Sequence, residues 1–144
     1  MQQSTHIAIL ALIELASDPD RQVSVSELGQ KFRVSAHHLA KVMNTLGRAG
    51  LVKSARGVGG GYSFSGNARR TTLLDVIALF EDVSASCKLD NPSQATAPEW
   101  ALYDVNREIK EMANATYGSI TLATMVKQLS RYSAMSTTQR AAAS

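Results

Sequence analysis

The chain has 144 residues, of which 44% are hydrophobic and 19% charged, and carries a formal net charge of +3. That is one ordinary domain able to bury a core, which excludes a wholly disordered or low-complexity chain. Its one cysteine excludes an intramolecular disulfide and a thiolate-rich metal cage within one chain, and no apolar run reaches membrane-spanning length.

The charge is unevenly placed. Residues 1–70 hold nine basic and four acidic side chains, and the remainder six basic and eight acidic. A basic amino-terminal half points to a polyanionic partner.

The first stretch, "HIAILALIELA", lacks a basic lead-in and contains Glu14. It reads as a helix apolar nearly all round, buried on more than one side, rather than as a signal peptide, and a cytoplasmic protein is expected. Pro19 in "SDPDRQ" ends it. A second helix opens at "SVSELGQKF", where Ser24 and Glu27 have capping-box spacing and Leu28 and Phe32 lie one turn apart. After the break "RVS", Ser35 caps a third helix, "AHHLAKVMNTLGRAG", stopped by Gly50. Its apolar stripe is Leu39, Val42, Met43 and Leu46. The other face carries Ala36, His37, Ala40, Lys41, Asn44 and Arg48, with His38 at its edge. Two short helices joined by about three residues, the second with a polar and partly basic face, spell helix-turn-helix, although a plain helical bundle shares that spacing.

Next comes "SARGVGGGYSF". Its glycines run into a β-prone segment rather than into a helix, so neither a phosphate-binding loop nor a dinucleotide fingerprint fits. "LVKSA" and "GYSFS" read as the arms of a hairpin whose tip holds Arg56, Gly57, Gly59 and Gly60. Directly after a helix-turn-helix, such a hairpin is a wing. Its arginine is placed to reach a groove or a phosphate, and its glycines let backbone approach DNA closely. The plainer alternative is a hairpin with a solvated arginine.

Thr72 and Asp75 then cap "LLDVIALFEDV", with Leu73, Val76, Ile77 and Phe80 as its buried stripe. Residues 84–98 read as a loop, and a long helix follows from Glu99 to Ala115 with Trp100, Tyr103, Ile109 and Met112 as inward positions. Gly118 ends that helix and Thr121 caps a last short one, "LATMVKQL".

The blocks "HIAILALIELA", "VSVSELGQKFRVSAHHLAKVMNTLGRAGLVKSARGVGGGYSF", "TTLLDVIALFED" and "GSITLATMV" together resemble the Rrf2 family of bacterial winged-helix transcription regulators. The resemblance implies a mainly α fold: a winged helix-turn-helix with a small β-hairpin wing plus a long dimerisation helix. It divides the chain into a DNA-binding domain over 1–83, a sensor-type loop over 84–98, the dimerisation helix and a final short helix over 99–132, and a flexible tail over 133–144. It also implies a homodimer, the long helix crossing its partner's copy, although an intramolecular bundle could use the same apolar positions.

The expected DNA contacts are Ser35, His37, His38, Lys41, Asn44, Arg48, Lys53, Arg56, Gly57, Gly59 and Gly60, with Arg69 adding charge further out. The expected function is that of a sequence-specific regulator, a repressor, on a pseudo-palindromic operator. The alternatives are a dimeric winged-helix interaction module and a regulator answering a small ligand.

Many members of the family hold an iron–sulfur cluster through three cysteines in the loop before the dimerisation helix. Here only Cys87 is present, and "KLDNPSQATAPEW" offers carboxylates and hydroxyls in place of the later thiolates. His6, as a ligand from the partner's first helix, would bring the set to two. No cofactor is therefore expected, and a cluster would need unusual ligands. A redox role remains open to Cys87 itself. His37 and His38 point about a hundred degrees apart on a helix and do not converge on one ion. With no catalytic constellation in view, an enzyme is not expected.

Overall fold

The computed structural model describes residues 1–85 and 87–143; Ser86 in the expected loop and Ser144 in the expected tail lie outside the described residues. The chain builds around its first helix. α1 (Gln3–Ser17) buries nine of its fifteen residues, with Ala8, Ala11 and Leu12 fully enclosed. α2 (Val25–Phe32), α3 (Ala36–Arg48), β2 (Gly61–Phe64), α4 (Leu73–Ile77) and α6 (Leu122–Ala143) all pack against it. Small alanines between branched residues let several neighbours approach one cylinder, which is why a helix apolar on all but the side of Gln3, His6, Glu14 and Ser17 sits here.

The break between α2 and α3 is set by backbone geometry. Arg33 closes α2 in the left-handed region (φ 58°), and the Val34 N–H donates to the Gly29 carbonyl at 2.9 Å, closing the last turn. The chain comes so near that a Cβ on Gly29 would stand 2.8 Å from the Val34 oxygen. α3 then starts at Ser35, whose hydroxyl accepts the His38 N–H at 3.2 Å. Leu39, Val42, Met43 and Leu46 are buried, which leaves the opposite side of α3 to solvent.

β1 (Val52–Ala55) and β2 form an antiparallel hairpin in the register Val52↔Phe64 to Ala55↔Gly61. Tyr62 also exchanges two 2.8 Å backbone hydrogen bonds with Val23, just before α2. β2 is thereby held between β1 and the entry to the helix-turn-helix, and the wing cannot swing independently of α2.

α5 (Ala97–Ser119) stands apart, with no buried residue. It is fastened at its C-terminal end, where Asn114 donates to the Val83 carbonyl at 3.1 Å and Gly118 lies against Leu74 of α4. The chain then turns back through paired backbone bonds, Leu73 N–H to the Ile120 carbonyl and Leu122 N–H to the Thr71 carbonyl, both 2.9 Å. α6 leaves this clamp with Leu122 buried and Met125, Val126 and Leu129 packed on the core.

Four local expectations are corrected. Glu27 does not return to cap Ser24; its carboxylate pairs with Arg21, while Ser24 still accepts the Glu27 N–H. α4 ends at Ile77 rather than running through Val83: the next bonds tighten to i−3 pairs, Leu79 N–H to Val76 and Phe80 N–H to Ile77, and Glu81 beyond them accepts from the Thr5 hydroxyl at 2.7 Å and from the Gln2 N–H at the start of α1. α5 begins at Ala97, behind a Thr96–Glu99 capping box, and not at Glu99. Helical backbone continues to Ala143, where a frayed tail was expected after Ser133.

Candidate nucleic-acid interface

Spacing on α3 places His37, Lys41, Asn44 and Arg48 in one exposed row. β1 follows α3 closely, since the Leu51 N–H donates to the Leu46 carbonyl at 3.1 Å and holds the turn tight. Asn44 and Arg48 therefore share the wall of a groove with Lys53 and Ser54 of β1 and with Tyr62 of β2. The groove has a volume of about 610 Å³ and is open to solvent. Sequence reasoning missed Ser54 and Tyr62; the alternation of "VKSA" against "GYSF" across a hairpin was the signal that could have found them.

Beyond the groove the wing extends to its tip. Gly57 and Gly59 adopt φ values of 102° and 78°, which ordinary side chains avoid; Val58 between them stands fully in solvent and Arg56 is exposed. At Gly60 space, not φ, forbids a side chain: a Cβ would lie 2.5 Å from the Ala55 carbonyl. The glycines therefore make the finger, and Arg56 is what it presents.

The segment that builds this groove is one-signed in charge. Between Glu27 and Asp75 the sequence contains no carboxylate and eight basic residues. Lys41, Arg48, Lys53 and Arg56 are all exposed, and none forms an ion pair with a described carboxylate. By contrast Arg21, ahead of α2, and Lys31, in its last turn, are paired to Glu27 and Glu14. Unpaired cations along a groove wall concentrate positive potential where a polyanion would dock.

Two expected residues stand elsewhere. His38 is half-buried with its Nε2 3.1 Å from the Ser4 hydroxyl, so it ties α3 to α1 instead of facing the groove. Ser35 is exposed, but its oxygen already serves as the helix cap, leaving the hydroxyl proton to donate. His6 is exposed on the first turns of α1.

The whole assembly matches a family model described as an iron-dependent transcriptional regulator, Rrf2, over residues 1–128. The chain belongs to the Rrf2 family. It is 44% identical over 127 residues to BadM of Rhodopseudomonas palustris, a candidate HTH-type transcriptional regulator, covering 88% of this chain and 81% of that one. A second candidate HTH-type regulator, from Synechocystis, is 30% identical and covers 83% and 82% of the two chains. Among solved structures, IscR of T. potens superposes with a TM-score of 0.64 at 29% identity, covering 89% of this chain and 86% of the other. The fold of CymR, the global cysteine regulator of B. subtilis, agrees with a TM-score of 0.71 at 23% identity, over 88% and 95% of the chains. The fold is thus a winged helix of the Rrf2 type, and the chain is a transcription regulator rather than an enzyme.

The family's iron link is tested by the donor set. Cys87 is half-buried against the first turns of α5, in a cleft shared with Lys88, Glu99 and Tyr103. Glu99 is engaged by the Thr96 hydroxyl and N–H, which hold its carboxyl below the usual range. Among the described residues no group of three or more His, Cys, Asp or Glu is placed to hold a metal ion. One cysteine beside Lys88 does not supply the three thiolate ligands that the iron–sulfur site expected of this family would need. No helix among the described residues is long and apolar enough to cross a membrane.

Proposed function

We propose that the protein is a homodimeric, sequence-specific repressor. Each subunit lays the N-terminal half of α3 in a major groove and sets Arg56 into the neighbouring minor groove or against its phosphates. The observation that carries this reading is the groove between α3 and the wing, lined by Asn44, Arg48 and Lys53 and by no carboxylate. His37, Lys41 and Asn44 are the base-edge readers, Ser35 donates to a phosphate at the positive end of α3, and the glycine backbone of the tip approaches the duplex.

Dimerisation is supported by α5. Leu102, Val105, Ile109 and Met112 recur at alternating intervals of three and four, and all are 52–64% exposed. That is the a/d seam of a two-stranded coiled coil. Two such helices crossing would bury four side chains from each copy and bring two recognition helices into a symmetric pair. A pseudo-palindromic operator follows from that symmetry. A cytoplasmic location and a redox response through the half-buried Cys87 thiol complete the reading; Cys87→Ser should bind DNA normally and lose any oxidant-dependent release.

The test is fluorescence anisotropy of a labelled random duplex titrated with the full chain at low and moderate salt. Neutralising about eight phosphates across a dimer gives a slope of log K on log salt near about −7. Binding absent at low salt would favour the interaction-module alternative.

A further inference from the structure

A second concavity lies away from the DNA-facing side, where α6 crosses α1 and the end of α2. It has a volume of about 420 Å³. Its walls are mostly apolar, built from Leu10 and Ile13 of α1, Phe32 of α2 and Met125 and Leu129 of α6, with Gln128, Tyr132 and Ser133 of α6 adding polar groups. At its rim the Lys31 ammonium sits 2.7 Å from a carboxylate oxygen of Glu14. Glu14 is largely covered, with its side chain 20% exposed, while Lys31 is 54% exposed.

From this geometry we infer that the cleft between α1, α2 and α6 is a binding site for a small uncharged molecule. The ligand would be a largely apolar body of about ten to twenty non-hydrogen atoms carrying one hydroxyl or amide group. The volume falls in the range of small-molecule pockets, and five aliphatic or aromatic walls favour a hydrocarbon body. The head group is set by the polar lining, the Glu14–Lys31 ion pair and the Gln128 amide. Because Glu14 and Lys31 already neutralise each other, an added carboxylate or amine would bring a charge with no free counter-charge. A group that both donates and accepts hydrogen bonds satisfies the second Glu14 oxygen and a remaining Lys31 proton together, with no uncompensated charge brought into the cleft. An occupant would touch Phe32, the last residue of α2, and so gain purchase on the helix-turn-helix from its rear.

The experiment titrates the full-length protein with N-phenyl-1-naphthylamine, a neutral fluorophore of suitable size bearing one N–H. Its blue-shifted emission is followed, and the probe is then displaced with 1-decanol. The result expected is saturable binding of one probe per chain, displaced by 1-decanol. Affinity should fall at least ten-fold in Met125→Trp and Leu129→Trp, whose indoles fill the cleft, and stay unchanged in Val105→Glu, which alters the α5 seam instead. Circular dichroism confirms that each variant is folded. Non-saturable binding, binding indifferent to both tryptophans, or binding lost in Val105→Glu alone would overturn the assignment. So would binding that weakens as protein concentration rises, since that would give the cleft to a second copy. The readout uses no DNA, so failure here leaves the DNA-binding reading standing, and failure there leaves this one.

Discussion

Gly60→Ala separates the wing's role in folding from its role in recognition. The added Cβ would stand 2.5 Å from the Ala55 carbonyl and 2.8 Å from that of Gly57, where ordinary contact begins at 3.4 Å, so the tip must open by roughly 0.9 Å. Opening also strains the Gly60 N–H bond to the Gly57 carbonyl, 2.9 Å long in the native turn. In a packed core an intrusion of this kind costs about 1–3 kcal/mol. Here Arg56 to Gly59 are exposed and can yield, so the loss of stability should stay near about 1 kcal/mol, or about 3–5 °C in Tm. DNA affinity should suffer more. If each displaced wing forfeits one charge-assisted contact of about 1.5–3 kcal/mol, a dimer loses about 3–6 kcal/mol, roughly 150-fold or more. The assay pairs a thermal melt with duplex anisotropy at fixed salt. Undiminished affinity in a variant with a lowered Tm would refute the reasoning, because the tip would then be disturbed without consequence for DNA.

Three further outcomes are expected. Val105→Glu puts two carboxylates into the proposed seam and should weaken self-association at least 100-fold by sedimentation velocity, leaving helical content intact. His37→Ala should lower duplex affinity with little change in Tm. His38→Ala should do the reverse, at about 0.5–1.5 kcal/mol for the lost hydrogen bond to Ser4. Glu81 is held below its ordinary value of 4.5 first by the Thr5 hydroxyl and then by the Gln2 N–H. Its contribution to stability is therefore full above pH 4.5 and is lost as the pH falls through its lowered native value. The difference in urea stability between the wild type and Glu81→Gln should accordingly shrink as the pH drops below 4.5 and stay constant above it.

What could be read from the sequence was whatever is encoded locally. The α2–α3 break and the glycine-tipped hairpin each depend on a few consecutive residues, and both stand where the pattern put them. The residues that went astray had been recruited from afar. His38 was taken by Ser4, 34 positions away, and Glu81 by Thr5, 76 positions away, and no periodicity announces such pairings. The α5 start is different, since "TAPE" carries a capping box in plain view, with Pro98 in the first turn. The end of α6 shows how a Ser/Thr-rich composition can mislead: alanine is the strongest helix former, and a helix already anchored at Leu122 extends cheaply through it. On α5 the sequence points to Trp100 and Tyr103 with Ile109 and Met112 as inward positions, whereas no residue of the helix is buried, and it is the exposure of Leu102, Val105, Ile109 and Met112 that marks the proposed seam.

The central claim, that α3 and the wing of two symmetric subunits hold one duplex, is tested most directly by hydroxyl-radical footprinting. The full chain would be footprinted on a duplex selected from a random pool, wild type beside Arg56→Ala. The account predicts two equivalent protected half-sites, their centres about one helical turn or a multiple of it apart. Protection in the minor groove flanking each half-site should be lost in Arg56→Ala. A single asymmetric patch, or a footprint identical in the two proteins, would contradict it.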